Sequence, residues 1–261
     1  KMAREARGKT GNSGWKDSEL TIDADKTIFT GYEELSCESK ILSILVDGLE
    51  RDTIEEGQSG FIILDKTPFY AEGGGQVGDT GKLVSEKSEI EVSNTKKFNK
   101  DIFIHEVTVI NGAATVGDII NASIDADRRR SIAKNHTCTH ILHRVLKDLL
   151  GEHVNQAGSY VNDERLRFDY THFEAVDADI IKQIEKNVNE AIMADYMVTT
   201  ENLSMEEAKK SGATALFDEK YGDTVRVVSI GNLSKELCGG THIGQSSKIG
   251  MFKIISEGGI S

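Results

Sequence analysis

The texture of the sequence changes at residue 127, and that change limits the folds open to it. From about residue 26 to 125, short runs rich in Ile, Val, Phe and Thr are separated by clusters of Gly, Asp, Asn and Lys: Thr27–Thr30, Ile41–Val46, Phe61–Leu64, Ile90–Val92, Ile102–Val109 and Ile119–Ile124. Short strands without helical periodicity predict a small antiparallel barrel or sandwich. After Asp127, Ile132, Ala133, Ile141, Leu142, Val145, Leu149 and Leu150 recur at helical spacing until Gly151 stops the run. Strands are expected at Val154–Val161 and Leu166–Tyr170, and a second helix from about Asp177 to Ala194. Ser204-x-x-Glu207 reads as a capping box for a short third helix, with further strands at Val225–Ile230 and Met251–Ile255. The expected class is α+β: a small antiparallel β-barrel over residues 26–126, then a helix and antiparallel-sheet domain over 127–261.

Composition removes several function classes. The 261 residues are 38% hydrophobic and 28% charged, enough to bury a core and unlike a disordered tail. The apolar runs are strand-sized, well short of the ~20 residues a membrane helix needs, and residues 1–5 do not read as a signal peptide. Three widely spaced cysteines (Cys37, Cys138, Cys238) suit a reducing cytoplasm better than a disulfide framework. The net charge of −12 argues against broad, non-specific nucleic-acid binding. A local exception stands out: Arg128, Arg129, Arg130, Lys134, Arg144 and Lys147 fall in a stretch with no acidic residue, which is either a solvated helix face or a phosphate-binding strip. The chain opens at Lys1 and stops at Gly258-Gly259-Ile260-Ser261, so a piece of a longer protein is expected, with residues 1–25 a helical tail and linker.

Three motifs carry chemistry. His136 and His140, at i and i+4, project from one helix face close enough to share a metal ion. A zinc-protease pattern is excluded because Thr137, not Glu, follows His136. His143 lies near the same face, as a third ligand or as a hydrogen-bonded histidine. Cys238-Gly239-Gly240-Thr241-His242 turns a thiolate and an imidazole toward one point. Together His136, His140, Cys238 and His242 make a donor set suited to Zn²⁺, against the alternatives of a buried cysteine beside a loop histidine or a Cys/His nucleophilic pair. The run Gly73-Gly74-Gly75-Gln76-Val77-Gly78-Asp79-Thr80-Gly81 contains G-x-G-x-x-G, but a strand-like run follows where a dinucleotide fold needs a helix. It is not a phosphate loop either, because Leu83 follows Gly81-Lys82. What remains is a plain tight turn, or a backbone that approaches a ligand closely beside the polar groups of Gln76 and Asp79.

With these residues in view, the sequence resembles the editing region of bacterial-type alanyl-tRNA synthetases over nearly its whole length. Phe69 to Gly81 resembles the family's glycine-rich motif, Asn135-His136-Thr137-Cys138-Thr139-His140-Ile141-Leu142 its first metal motif, and Cys238 to His242 its second. Gln156-Ala157-Gly158-Ser159 and Leu166-Arg167-Phe168-Asp169-Tyr170 are similar to the block between. Cys138 departs from the small residue usual there, and Ala71 from a proline; Cys138, two residues from His136, points away from the metal face and is expected in the core.

The resemblance implies the fold shared by alanyl- and threonyl-tRNA synthetase editing domains, and a tail over residues 1–25 left from a preceding tRNA-recognition region. It implies hydrolysis of the ester on tRNA(Ala) mischarged with serine or glycine. The parent would be an ATP-dependent alanine–tRNA ligase, whose ligase site with ATP and Mg²⁺ lies outside these residues. The implied metal ligands are His136, His140, Cys238 and His242; Cys238 is also a candidate catalytic residue with Gln76 and Asp79. Gly74, Gly75, Thr80, Thr241, Arg130 and Lys134 are candidate substrate contacts at the tRNA 3′ acceptor end. Four protein ligands would close the zinc shell, whereas three would leave a position for water. The competing readings are a free-standing deacylase of the same family, the related threonyl-type domain, and a non-catalytic zinc-stapled tRNA-binding module.

Overall fold

The computed structural model describes residues 26–98, 101–214 and 224–259; the tail expected over 1–25 lies outside them. The barrel is present and closed. Six antiparallel strands run in the spatial order β10 (Ile119–Ile124), β7 (Gly81–Val84), β8 (Ser88–Phe98), β9 (Ile102–Thr115), β5 (Ser59–Leu64) and β2 (Ser36–Val46). Pairing of β10 with β2, from Ile119↔Lys40 to Ser123↔Ser36, closes the ring, which removes the sheet edges. Alternation explains the arrangement: along β8, Ser88, Ile90 and Val92 are buried while Glu91 is exposed. Ile41, Ile44, Ile62, Leu83, Ile90 and Ile120 fill the interior. Two short strands hang on the ring, β3 (Leu49–Arg51) on β2 and β4 (Thr53–Glu55) on β9. A parallel pair, β1 (Ile28–Phe29) with β6 (Lys66–Thr67), leads the chain into the glycine run.

Asp125 ends the barrel and begins the long helix α1 (Ala126–Leu150). Its carboxylate accepts from the Arg128 N–H at 3.0 Å, an N-cap that starts the helix ahead of its apolar periodicity. One face of α1 joins Ile184, Val188 and Ile192 of α2 (Ala178–Met193) in a second core cluster. The hairpin β11 (Gln156–Val161) and β12 (Leu166–Tyr170) connects them. A second sheet, β13 (Val198–Ser204), β14 (Thr224–Ile230) and β15 (Ser234–Leu237), carries α3 (Met205–Lys210). Both halves of the expected capping box start α3: Ser204 Oγ accepts from the Glu207 N–H, and the Glu207 carboxylate from the Ser204 N–H.

The expected strand at Met251–Ile255 is not a strand. The alternation is real, with Phe252 and Ile254 half-buried and their neighbours exposed, but its partner is a helix. Asn189 of α2 accepts from the Phe252 N–H and donates to its carbonyl, both at 2.9 Å, and Glu185 accepts from the Ile254 N–H. Side chains on α2 thus satisfy the backbone that a neighbouring strand would otherwise pair.

Candidate metal centre

The α1 face brings His136 and His140 side by side, with ring centroids 5.5 Å apart. The chain leaving β15 turns back over them through Cys238 to His242. Gly240 is required at that turn because a Cβ there would overlap the His136 ring. One ligand atom from each of His136, His140, Cys238 and His242 then falls within 4.8 Å of the others. Cys238 Sγ lies 3.5 Å from His136 Nε2 and 3.3 Å from His242 Nε2. A tetrahedral ion with Zn–N and Zn–S bonds of ordinary length sets such edges at about 3.3–3.6 Å.

The surrounding hydrogen bonds decide which nitrogen of each ring faces the cluster. The Thr137 hydroxyl donates to the Ala133 carbonyl at 2.8 Å, so its contact with His242 Nδ1 at 3.0 Å must be accepted from an N–H. The Thr241 N–H donates to Gln76 Oε1, which fixes the amide's orientation; His136 Nδ1, 2.7 Å from that oxygen, must then be the protonated nitrogen. His140 Nδ1 lies 2.7 Å from the Glu236 carboxylate. All three rings therefore present a bare Nε2 to the cluster, the arrangement that outer groups impose on metal-binding histidines. His140 Nε2 is buried without a hydrogen-bond partner, as expected of an atom whose partner is an ion.

Electrostatics agree with ligand chemistry. Burial alone would raise the Cys238 thiol, but the imidazoles of His136, His242 and His140 outweigh it and hold the group well below its ordinary range. Burial pushes His242 down to about 3. Burial also opposes charge on His140, yet Glu236 and Cys238 carry it well above its ordinary value, so a metal ion bound there would displace its proton. Donor types, distances and tautomers together fit Zn²⁺.

Gln76 reaches this site because of the glycines before it. Gly74 (φ 57°) and Gly75 (φ 85°) form a two-residue turn closed by mutual backbone bonds between Gly73 and Gln76, a geometry that disfavours side chains at both positions. Gly75 also packs so tightly on Ser159 that a Cβ would overlap it. The strand β7 that follows confirms that no helix opens on the glycine run.

A cleft of about 240 Å³ opens beside the metal-ligand cluster. Tyr32, Tyr70, Lys97 and Phe103 line it from the barrel, and Thr139, His143, Gln156 and Phe168 from the other side; His136, His140 and Cys238 form part of its wall. Of the expected substrate contacts, Gly74 lines this cleft, whereas Gly75, Thr80, Thr241, Arg130 and Lys134 do not. Gln76 is fully buried behind His136, and Thr241 Oγ1 is taken by the Gln76 amide. Asp79, expected to face the pocket, is buried in a clamp: its carboxylate is gripped by Arg129 and accepts from the Tyr70 N–H at 2.7 Å. With those contacts made, it holds the glycine run to α1 and has no face toward a substrate.

The basic strip is largely neutralised. Arg129 is buried on Asp79 and the Gly31 and Pro68 carbonyls. Arg128 pairs with Asp163, Arg130 with Asp127, and Arg144 with Asp148. Two of those partners flank the basic run in sequence and one comes from the β11–β12 turn. Lys134 and Lys147 remain without an ion pair among the described residues.

Sequence reasoning missed Glu236, which ties His140 to His143, and the pair Tyr32 and Arg226. Tyr32 donates to the Gly239 carbonyl at 2.5 Å, and Arg226 lies over the Tyr32 ring while donating to the Cys238 and Gly240 carbonyls. Three consecutive carbonyls of the metal loop are thereby drawn to one side. The lone signal for Glu236 was its place two residues before Cys238. Cys138 sits in the α1–α2 core, 2% exposed, as its helical phase requires.

Comparison with known proteins agrees with this geometry. Residues 1–128 match the family model described as tRNA synthetases class II (A), and residues 225–261 the one described as threonyl and alanyl tRNA synthetase second additional domain. The chain is 48% identical over 262 residues to an alanine–tRNA ligase of Clostridioides difficile, and 47% over 261 residues to one of Alkaliphilus oremlandii. It is 45% identical over 259 residues to one of Neisseria meningitidis. Each alignment covers 99% of this chain and 30% of the relative. The chain belongs to the alanyl-tRNA synthetase family, spanning about 30% of the length of those relatives and including an editing-type domain.

Proposed function

We propose that this chain hydrolyses the ester joining serine or glycine to the 3′ end of tRNA(Ala), in the cytoplasm, as part of an ATP-dependent alanine–tRNA ligase whose ligation site lies elsewhere. Residues 26–126 would form the barrel domain, 127–261 the zinc-binding editing domain, and 1–25 a link to a preceding tRNA-recognition region. The observation that carries the reading is the convergence of the His136, His140, Cys238 and His242 donors, with His136, His140 and Cys238 in the wall of a cleft. The need is physical: a pocket for alanine discriminates glycine or serine by only about 1–3 kcal/mol, so a second, hydrolytic sieve is required.

Zn²⁺ held by all four side chains would have a closed shell and would organise the wall of the cleft; Lewis-acid stabilisation of the ester would require one ligand to leave or the shell to expand. The protein's own groups prepare the site. Gln76, Thr137 and Glu236 lock the three imidazoles in one tautomer, and Tyr32 with Arg226 fixes the loop that carries Cys238. The aromatic wall of Tyr32, Tyr70 and Phe103 offers a face for the terminal adenine. Lys97, 5.1 Å from the Phe103 centroid and without an ion pair among the described residues, suits its phosphate. Incubation of the zinc-loaded chain with Ser-, Gly- and Ala-tRNA(Ala) tests the proposal. Release of serine and glycine with alanine spared supports it; equal release of all three, or none, contradicts it.

A further inference from the structure

The metal centre leaves one buried polar atom of a cleft-lining residue without a partner. Among the described residues, two buried side-chain nitrogens lack any hydrogen-bond partner, His140 Nε2 and His143 Nε2. The first belongs to the metal-ligand cluster, but His143 does not. Its ring is 3% exposed, walls the cleft beside Thr139 and Gln156, and packs on Phe168 at 5.2 Å. Its Nδ1 lies 3.0 Å from Glu236 Oε1, a carboxylate that accepts but does not donate. In the tautomer with Nδ1–H committed there, Nε2 is the acceptor. Burying such an acceptor unpaired is costly, and native structures rarely leave one without purpose.

Resting on the hydrolytic reading above, we infer that His143 Nε2 is a substrate-positioning acceptor for a hydrogen-bond donor of the aminoacyl group. Two donors have that chemistry, the α-ammonium shared by every aminoacyl ester and the side-chain hydroxyl of serine. Glu236 ties the acceptor rigidly to the metal centre, because its other oxygen holds His140. A donor seated on His143 would therefore be set at a fixed distance from the metal-side wall.

Two substitutions separate this role from a structural one. His143→Asn places an amide N–H where Nδ1–H was, keeping the bond to Glu236 and removing the Nε2 acceptor. His143→Gln extends an amide to the Nε2 position and gives up the Glu236 bond. Calorimetric binding of the non-hydrolysable seryl, glycyl and alanyl amides of 3′-amino-3′-deoxyadenosine is measured on zinc-loaded protein, with thermal melts as a folding control. Deacylation of the matching tRNA esters is measured in parallel. The expected result is seryl-amide binding about 10–100-fold weaker in His143→Asn, at unchanged melting temperature, with partial recovery in His143→Gln. A loss confined to the seryl ligand identifies the hydroxyl as donor, and an equal loss for all three identifies the ammonium. Binding unchanged in His143→Asn, no binding by the unsubstituted chain, or no recovery in His143→Gln would overturn the inference. Intact binding without deacylation by the unsubstituted chain would overturn the hydrolytic proposal and leave the His143 assignment standing.

Discussion

Replacing Gln76 by alanine removes one side chain and strands several others. Its Oε1 accepts from both His136 Nδ1 at 2.7 Å and the Thr241 N–H at 2.9 Å, and its Nε2 donates to Thr241 Oγ1 at 2.9 Å, all in a fully buried setting. Alanine leaves two donors without an acceptor, at about 1–3 kcal/mol each, for a total of about 2–6 kcal/mol. It also frees the His136 ring to flip or change tautomer, which for a group supporting a metal ligand costs about 10–100-fold in metal affinity. Gln76→Glu separates the two effects. A carboxylate still accepts from His136 and from the Thr241 N–H, and the Thr241 hydroxyl can turn to donate. Zinc competition against a fluorescent chelator, with urea unfolding of the same samples, reads both. The expected order of zinc affinity is unsubstituted, then Gln76→Glu, then Gln76→Ala. Zinc bound by Gln76→Ala as tightly as by the unsubstituted chain would refute the tautomer argument.

Three further outcomes follow from buried groups away from the cleft. His105, enclosed in the barrel between the Ile62 carbonyl and the Thr67 hydroxyl, is lowered by burial to about 4. The folded state therefore favours the neutral ring: its contribution is complete above about pH 6.5 and falls away between there and pH 4, by about 3 kcal/mol. The stability difference between the unsubstituted chain and His105→Gln should shrink across that window in urea titrations; a constant difference contradicts the assignment. Asp79→Ala leaves Arg129 charged and buried and should destabilise by about 3–5 kcal/mol in denaturant; a variant that loses activity with stability intact would return Asp79 to the substrate side. Cys138→Ala should retain the full zinc content by elemental analysis, with about 1 kcal/mol lost in unfolding.

What could be read in advance was what lies close in sequence. The i,i+4 histidines and the Cys-Gly-Gly-Thr-His turn each show their geometry locally, so their convergence followed once both were seen as ligand pairs. The barrel was visible in the short Ile-, Val-, Phe- and Thr-rich runs separated by turn clusters over residues 26–125, and the start of α3 in Ser204 and Glu207. Long-range partners were not visible. Nothing near Gln76 announces that its amide will meet His136 and Thr241, and nothing near Arg129 shows that Asp79 will bury it. The basic strip could be read as a solvated helix face or as a phosphate surface, and counting charges inside a stretch could not show its pairing with Asp127 and Asp148 at its edges and Asp163 across a turn. Met251–Ile255 has a strand's pattern because its environment is two-sided, with α2 on one face and solvent on the other. Alternation reports that burial, not the identity of the partner.

The central claim is that His136, His140, Cys238 and His242 bind one zinc ion together, and X-ray absorption at the zinc edge tests it on the purified chain. The account predicts one zinc per chain with a first shell of three nitrogens at about 2.0–2.1 Å and one sulfur at about 2.3 Å, the sulfur lost in Cys238→Ser. A first shell without sulfur, or a chain that takes up no zinc when it is supplied, would contradict it.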